Sequence, residues 1–316
     1  MKKISIAIHG GAGTILKEEM TAELEEAYRN GLQAALTVGY AVLQNGGTSV
    51  TAVKETVMVL EDNPLFNAGR GSVFTNKGLN EMDAAIMDGN NLQAGAVAGV
   101  RNIRNPIVLA EEVMLHSGHV FLSGEGANDF AIKRGVKLEP DEYFYSDYRY
   151  NQWQQIKHSD VYQLDHKRVG SNNPVKEKKL GTVGAVACDS NGNVAAATST
   201  GGMTNKKYGR IGDSPMIGAG TYANNKTCAV SCTGHGEMFI KAVAAYDVSC
   251  LMEYKGMNLH HACNEVVFKK LVALGGDGGL VAVDAEANVA MIFNSPGMYR
   301  GSKNSDGEIQ IAIYGS

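Results

Sequence analysis

The chain changes character abruptly at residue 181, and this boundary limits the folds that it can adopt. From about residue 159 to residue 180 the sequence is polar and charged and has no apolar periodicity. Such a stretch cannot bury enough apolar surface to pack, so it predicts an exposed, mobile linker over residues 159–181. The residues that follow are small and mostly apolar, which is typical of a buried central strand, and they read Gly181-Thr182-Val183-Gly184-Ala185-Val186-Ala187-Cys188.

Each side of this boundary combines strands with helices. Ile4, Ile6 and Ile8 alternate with small or polar residues, which predicts a first strand that ends in a flexible turn at Gly10–Gly13. Amphipathic or apolar periodicity predicts helices over 17–43, 51–62, 107–116, 125–134 and 237–254. Further strands are predicted over 84–87, 94–100, 279–283, 289–293 and 308–314. Strand hairpins bracketed by helices indicate a layered α/β protein rather than a βαβ array.

A hairpin is predicted directly after Thr182. If Asn191-Gly192 is a two-residue turn, Thr182 lies opposite Gly201 on the returning strand, and Thr200 lies opposite Val183. Alternate residues of a strand point to opposite faces, so this register separates the side chains of Thr182 and Thr200. A site that contains both threonines then requires a bulge or a strong twist near Gly201.

Length and composition narrow the function classes. A chain of 316 residues with 44% hydrophobic and 20% charged residues is typical of a globular protein and is compatible with one domain. A formal net charge of -4 gives no electrostatic reason to expect a nucleic acid or a membrane as partner. The apolar run before His9 is too short for a signal peptide, and no later run is long enough to span a membrane. We therefore expect a cytoplasmic protein that acts on small molecules.

The Gly181-Thr182 junction has the residue types that self-cleavage needs. A threonine hydroxyl is a weak nucleophile at neutral pH unless a base lies beside it, and a free α-amino group, with a pKa of about 7.7 to 8.0, can be that base. Cleavage between Gly181 and Thr182 would create such an amine on the nucleophile itself. Glycine at position 181 gives the hydroxyl room to reach the preceding carbonyl. The same residues also fit an ordinary strand, so local features alone leave both interpretations open.

Several long motifs occur in order over most of the chain. They are Ile8-His9-Gly10-Gly11-Ala12-Gly13, Pro64-Leu65-Phe66-Asn67-Ala68-Gly69-Arg70-Gly71, Gly181-Thr182-Val183-Gly184-Ala185-Val186-Ala187, Ala197-Thr198-Ser199-Thr200-Gly201-Gly202-Met203-Thr204-Asn205-Lys206, Gly212-Asp213-Ser214-Pro215 and Thr233-Gly234-His235-Gly236-Glu237. Together they closely resemble the plant-type asparaginase and isoaspartyl peptidase family of N-terminal-nucleophile hydrolases. The resemblance implies a four-layer αββα sandwich and a single domain that cuts itself before Thr182. It also implies an α subunit of residues 1–181, a β subunit of residues 182–316 and a dimer of such αβ pairs.

The resemblance implies catalytic roles for four residues. Thr182 matches the nucleophile, and Thr200 matches a second threonine that hydrogen-bonds near it. Thr233 and Gly234 match a hydroxyl and a backbone N–H that bind the substrate and stabilise the oxyanion. Their position just before a predicted helix also fits an ordinary helix cap, and both readings can hold together.

Two further positions match a substrate clamp. Arg210 and Asp213 correspond to residues that hold the α-carboxylate and the α-ammonium group of the substrate. An amino-acid head group is a zwitterion, so its site needs a fork-shaped cation and an anion close together. Without the resemblance, an arginine and an aspartate three residues apart would be read as a solvated ion pair.

The resemblance assigns supporting roles to other residues. His9, Gly10 and Gly11 match a glycine-rich segment beside the nucleophile, and Asn67 is expected near the site. Residues 60–70 match a loop that binds sodium through backbone carbonyls, which assigns the carbonyls of Leu60, Asn63, Phe66, Ala68 and Arg70 to a structural sodium ion. The sequence alone cannot establish such a site, because every residue type provides the same carbonyl oxygen.

The leading interpretation is hydrolysis of the β-aspartyl amide of L-asparagine and of β-aspartyl (isoaspartyl) dipeptides, with no organic cofactor. Glycosylasparaginase, of the same fold and nucleophile, is the alternative, and the absent secretory signal argues against it. A binding protein without catalysis is disfavoured by the complete set of matched site residues. A dinucleotide loop at Gly10–Gly13 is a poor match to GxGxxG.

Overall fold

The structure is a computed structural model that describes residues 3–158, 163–164, 167–168, 181–305, 307 and 309–315. The predicted linker therefore lies almost entirely outside the described residues, apart from two short paired strands. The strands are β1 (Ser5–Gly13), β2 (Met82–Asp88), β3 (Ala94–Val100), β4 (Phe121–Ser123), β5 (Gln163–Leu164), β6 (Lys167–Arg168), β7 (Val183–Cys188), β8 (Val194–Thr200), β9 (Thr221–Ala223), β10 (Cys228–Gly234), β11 (Gly278–Asp284), β12 (Val289–Phe293), β13 (Gly297–Asn304) and β14 (Ile309–Tyr314).

Nine α-helices occur within the described ranges, together with short 3₁₀ turns. The helices are α1 (Ala22–Gln44), α2 (Ser49–Asp62), α3 (Pro106–His116), α4 (Gly124–Arg134), α5 (Asp147–Ile156), α6 (Gly236–Ala242), α7 (Ala244–Lys255), α8 (Leu259–Asn264) and α9 (Leu271–Ala273). A π-helical segment, Glu265–Lys270, joins the last two. None of the helices in the described part of the chain is both long and apolar enough to cross a membrane.

Two sheets carry the fold. The larger has eight strands in the order β14-β13-β1-β7-β8-β2-β3-β4, and the smaller has four in the order β12-β11-β10-β9. In the large sheet β7 lies between β1 and β8, and every residue of β7 and β8 is buried. The predicted buried central strand after residue 182 is therefore confirmed.

The core follows from which face each strand residue occupies. On one face of the large sheet, residues such as Ile8 and Ala185 pack with Leu36 and Val57 of α1 and α2. Their strand neighbours point the other way, as period-two alternation requires, and pack with residues of β10 and β11. The opposite face of the small sheet packs against α7 and α8. The chain is thus a mixed α/β protein whose two sheets are in contact, with helices packed on their other faces.

The predicted turn at Gly10–Gly13 is wrong. These residues remain in β1, which pairs with β13 as far as Gly13 opposite Gly297, with an irregularity between His9 and Gly11. The glycines serve close packing rather than a turn. A Cβ at position 10 would lie 2.4 Å from the Phe66 ring, so only glycine lets the two segments approach this closely.

Other predicted boundaries shift for local reasons. The helix predicted from residue 17 begins at Ala22, because the Thr21 side chain accepts a hydrogen bond from the Leu24 N–H at 3.2 Å and caps it. The helix predicted over 237–254 is two helices, α6 and α7, interrupted at Val243, whose φ of 48° is left-handed. The sequence does not predict helices α5, α8 and α9 or strands β4, β5, β6, β9 and β13, because they lack clear periodicity or are short.

Candidate active site

The hairpin between β7 and β8 sets the geometry of the site. Asp189 N–H donates to the Asn193 carbonyl at 3.0 Å, and Gly192 N–H donates to the Asp189 carbonyl at 2.9 Å. Gly192 has a φ of 82°, so the connection is a three-residue loop that ends in a left-handed glycine. The predicted two-residue turn is therefore wrong by one residue.

This shift places Thr182 and Thr200 on the same face. The observed register pairs Val183 with Ser199, and its continuation sets Thr182 opposite Thr200. The Thr182 Oγ1 donates to Thr200 Oγ1 at 3.2 Å. No bulge is needed near Gly201, contrary to the expectation, because a one-residue change of register reverses the face of every side chain.

Two further groups contact this threonine pair. The Gly202 N–H donates to Thr200 Oγ1 at 2.9 Å, which orients the acceptor. The Ser214 hydroxyl lies 3.5 Å from Thr182 Oγ1. The motif Gly212-Asp213-Ser214-Pro215 contains Ser214, but the resemblance assigns it no role. The signal that could have identified it is its position next to Asp213 in that motif.

A cleft opens over Thr182. Its lining residues come from both sides of the chain boundary and are Asn67, Gly181, Thr182, Thr200, Gly202, Met203, Arg210, Gly212, Asp213, Ser214 and Gly234. The structure therefore brings together most of the residues that the motifs single out. His9, Gly10, Gly11 and Thr233 lie outside this lining, as do the residues assigned to sodium, Leu60, Asn63, Phe66, Ala68 and Arg70.

Thr233 and Gly234 end β10 beside the candidate cleavage point. Thr233 Oγ1 accepts a hydrogen bond from the Ala12 N–H at 3.2 Å and lies 3.1 Å from where a Cβ on Gly181 would be. Gly234 has a φ of 150°, and a Cβ there would lie 2.5 Å from the Asp277 carbonyl oxygen. Only glycine fits that position, and no side chain there separates the Gly234 backbone from the cleft.

Gly11 is packed against the same bond. It has a φ of 115°, and a Cβ on it would lie 2.6 Å from both N and Cα of Gly181. A side chain at position 11 would therefore displace the residue that precedes Thr182.

His9 lies behind Thr182 and is completely buried. Its Nδ1 is 3.0 Å from the Thr182 carbonyl oxygen, and its Nε2 is 2.9 Å from Ser231 Oγ. Burial lowers the pKa of His9 to about 3, although the contact with Thr182 opposes this shift. The ring is therefore neutral at physiological pH.

Arg210 forms its ion pair with a residue that was not predicted. Its Nε and Nη2 donate to the two carboxylate oxygens of Glu237, each at 2.9 Å. Although burial acts to raise the pKa of Glu237, the hydrogen bonds from Arg210 lower it. Glu237 could have been found as the last residue of the Thr233–Glu237 motif. This bidentate pair holds the guanidinium at the cleft and leaves its Nη1 outside the ion pair.

Asp213 lines the cleft, and one of its carboxylate oxygens lacks a hydrogen-bond partner among the described residues. Its side chain is buried, and the oxygen without a partner there is Oδ2. Burial raises the pKa of Asp213 to about 7, while the charge of Arg210 opposes the shift. A buried carboxylate oxygen without a partner is costly, so this atom suits a cationic ligand.

The loop after α2 reaches the same cleft through Asn67. The Asn67 side-chain amide donates to the Gly202 carbonyl at 2.8 Å, and its Oδ1 accepts from the Val73 N–H at 3.1 Å. The carbonyls assigned to sodium line this loop, and those of Leu60, Asn63, Phe66 and Ala68 each accept one backbone hydrogen bond. A carbonyl oxygen has two lone pairs, so one hydrogen bond to each of these four carbonyls does not prevent it from binding a cation.

The fold and the cleft define an α/β protein with a threonine pair at its centre, and comparison with known proteins gives its relationship. A family model described as asparaginase matches residues 2–313. The chain belongs to this asparaginase family, so the resemblance inferred from the motifs is confirmed.

Individual relatives extend over nearly whole chains. The isoaspartyl peptidase of Escherichia coli (strain K12) is 53% identical over 301 residues, which cover 95% of this chain and 92% of that protein. A protein of Arabidopsis thaliana named probable isoaspartyl peptidase/L-asparaginase 2 is 42% identical over 325 residues, covering 98% of each chain. The human isoaspartyl peptidase/L-asparaginase is 42% identical over 298 residues, covering 94% of this chain and 92% of that protein.

Proposed function

We propose that the chain is a self-processing isoaspartyl peptidase and L-asparaginase that hydrolyses β-aspartyl amide bonds. One observation carries the proposal. The Thr182 hydroxyl, 3.2 Å from that of Thr200, faces a cleft that also holds a buried carboxylate and a fixed guanidinium. The names of the relatives support the same substrates, isoaspartyl peptides and asparagine.

Processing would begin at the partly buried Gly181-Thr182 bond. Thr182 Oγ1 attacks the Gly181 carbonyl carbon, the peptide C–N bond breaks, and its nitrogen takes up a proton as the Thr182 amine. Water then hydrolyses the resulting ester, which leaves a carboxylate on Gly181 and restores the hydroxyl. The products are an α subunit of residues 1–181 and a β subunit of residues 182–316, which together make one domain.

The mature site would then carry its own base. The free amine of Thr182 takes the hydroxyl proton as Oγ1 attacks the side-chain carbonyl of the substrate. The Thr233 hydroxyl and the Gly234 N–H stabilise the oxyanion. Collapse of this intermediate releases ammonia or an amino acid, and water hydrolyses the acyl-enzyme to give aspartate. Before the attack Thr200 accepts the hydrogen bond of the Thr182 hydroxyl and holds Oγ1 in place, and the proton then turns from Thr200 to the amine.

The clamp would select the amino-acid head group. Arg210 offers Nη1 to the substrate α-carboxylate while Glu237 holds its other two nitrogens. Asp213 receives the α-ammonium group, which supplies the partner that its Oδ2 lacks. Binding both charges fixes the β-carbonyl over Thr182, and the leaving group extends out of the cleft.

The remaining features follow the family pattern. We propose a four-layer αββα sandwich, a dimer of αβ pairs, a cytoplasmic location, no organic cofactor and a sodium ion bound by the carbonyls of residues 60–70. The ion would hold the loop that positions Asn67. Transfer to a sodium-free choline buffer is expected to lower both the melting temperature and the activity, and no change in either contradicts the sodium site.

Intact mass spectrometry combined with product assays tests the proposal. The wild-type chain is expected to split into two pieces at Gly181-Thr182 and to release amino acid from β-aspartyl dipeptides and ammonia from asparagine. Thr182→Ala should stay whole and inactive, and the matched Thr182→Ser should cleave and retain activity. An intact, active Thr182→Ala chain contradicts the nucleophile. Turnover of glycosylated asparagine alone contradicts the substrate assignment.

A further inference from the structure

A file of buried hydroxyl groups connects the two sheets behind the nucleophile. From Ser231 on β10 it passes to Thr198 on β8 at 2.6 Å and then to Thr221 on β9 at 2.7 Å. The file begins at His9 on β1, which contacts Ser231 at 2.9 Å. All four side chains are completely buried, so no solvent is available to replace a missing partner.

The proton positions in this file follow from its His9 end. The Thr182 carbonyl can only accept, so His9 Nδ1, at 3.0 Å from it, must carry a hydrogen. A neutral imidazole has one N–H, so His9 Nε2 is bare and needs a donor. The group that supplies it is the Ser231 hydroxyl.

One donor then fixes the next. Because the single Ser231 proton points to His9, the 2.6 Å contact requires Thr198 to donate to Ser231. Because the Thr198 proton is then used, the 2.7 Å contact requires Thr221 to donate to Thr198. The same hydroxyls also lie near backbone carbonyls, at 3.2 Å from Ala197, 3.3 Å from Gly220 and 3.0 Å from Ser214. The reversed order of donors could therefore end on the Ser214 carbonyl, but it would leave His9 Nδ1 without a proton beside the Thr182 carbonyl at 3.0 Å.

We propose that His9 is a positioning residue that holds Thr182 by its own carbonyl as the Nδ1–H tautomer, and that the hydroxyl file from Thr221 through Thr198 and Ser231 satisfies this tautomer by donating to Nε2. The inference rests on the proposed function, because it matters most once cleavage has freed the Thr182 amine. Thr182 precedes the first residue of β7 and so lies at the margin of the strand ladder. After cleavage no chain on its N-terminal side restrains it, and the contact from His9 keeps Oγ1 on Thr200. The low pKa of His9 agrees with a ring that stays neutral.

The tautomer is measurable directly in the wild-type protein. In histidine-selective ¹⁵N spectra of the mature protein, we expect the His9 signals to be pyrrole-type at Nδ1 and pyridine-type at Nε2. They should not titrate between about pH 5 and about pH 9. The protein has 8 histidines, and loss of one signal pair in a His9 variant assigns the resonance. Pyridine-type Nδ1, or an imidazolium, overturns the proposal whatever the activity of the protein.

Two amide variants separate positioning from mere bulk. His9→Asn places an amide N–H near the former Nδ1, and His9→Gln places it near the former Nε2. We expect His9→Asn to lose less than about 10-fold in kcat and His9→Gln about 100-fold, with KM changed little, since small misplacements of a reacting group cost rates of this order. Equal losses at matched melting temperatures overturn the proposal. If the wild-type protein cleaves no β-aspartyl substrate, the proposed function fails, while the ¹⁵N spectrum still decides the tautomer.

Discussion

The hydroxyl oxygens of Thr182 and Thr200 lie 3.2 Å apart across neighbouring strands at the centre of the large sheet. Thr200 Oγ1 accepts hydrogen bonds from the Thr182 hydroxyl and from the Gly202 N–H, so both of its lone pairs are occupied. The three-residue loop that ends at Gly192 makes this contact possible, because it sets the register of the two strands.

Removing the acceptor at Thr200 should slow chemistry more than binding. Thr200→Val keeps the shape and the β-branched character but cannot accept the Thr182 hydrogen bond. We expect kcat to fall by about 10- to 100-fold, because the nucleophile loses its orientation, with KM within about 3-fold. Steady-state kinetics on a β-aspartyl dipeptide measures this, and Thr200→Ser, which retains the hydroxyl, is the control. Wild-type kcat in Thr200→Val would contradict a catalytic contact.

Gly11→Ala should block self-cleavage. The new Cβ would overlap Gly181 at 2.6 Å, in addition to the cost of a left-handed φ of 115°. We expect displacement of the Gly181 carbonyl from Thr182 Oγ1 and a chain that stays whole in intact mass spectra.

The matched control for Gly11→Ala is Gly99→Ala. Gly99 also has a left-handed φ, 63°, but a Cβ there meets nothing within 4 Å. It therefore bears a backbone penalty of about 1 kcal/mol without the clash. Complete processing of Gly99→Ala beside an uncut Gly11→Ala isolates the contact with Gly181. Normal processing of both would show that close packing at position 11 is unnecessary.

The ionisation of Asp213 should add a second step to the pH dependence of kcat/KM. Burial raises its pKa to about 7, so below that pH the free enzyme presents a neutral carboxyl that cannot pair with an ammonium group. The Thr182 amine, with a pKa of about 7.7 to 8.0, must also be neutral. We therefore expect log kcat/KM to fall towards acid with a slope approaching about two, and log kcat with a slope of about one, since kcat reports the complex in which Asp213 is already paired.

An Asp213→Asn variant checks this assignment. It should retain only the slope of about one in log kcat/KM, at a value at least about 100-fold lower, because a buried charged partner is lost. Full pH–rate profiles of both proteins supply the measurement. Persistence of the steeper slope in Asp213→Asn would assign the second proton elsewhere.

Glu61 should make stability fall as pH rises. It is completely buried, accepts from the Ser199 hydroxyl at 2.6 Å and has an Oε2 with no partner among the described residues. Burial raises its pKa from 4.5 to about 8. The folded state thus binds a proton that the unfolded state releases, and the free energy of unfolding decreases between about pH 4.5 and about pH 8.

Calorimetry between these pH values tests the contribution of Glu61. Glu61→Gln keeps the hydrogen-bonding shape without the titration, so its melting temperature should vary less with pH than that of the wild-type protein. Glu26→Gln, on the exposed side of α1, is the control and should leave the pH dependence unchanged. Identical pH dependence in Glu61→Gln and the wild-type protein would contradict the linkage.

The sequence predicted the elements whose patterns are strong and local. The long periodic helix α1, the strand β3 and the buried run of β7 all appear where hydrophobic spacing indicated them. The predicted turn at Gly10–Gly13 is wrong because glycine occurs both in turns and where two segments pack closely. Only the contacts with Phe66 and Gly181 show that these glycines allow close packing. The prediction of one helix in place of α6 and α7 is wrong because valine at position 243 does not indicate a left-handed backbone conformation.

The candidate site divides in the same way. The sequence by itself supplied candidate residues, since the Gly181-Thr182 junction and the ordered motifs single out Thr200, Arg210 and Asp213, but it assigned no role to Ser214 or Glu237. Only the tertiary structure decided how they meet. The face shared by Thr182 and Thr200, the pairing of Arg210 with Glu237 and the hydroxyl file behind His9 depend on strand register and on contacts between distant segments. Such contacts reflect the packing of the whole chain, and no local pattern encodes them.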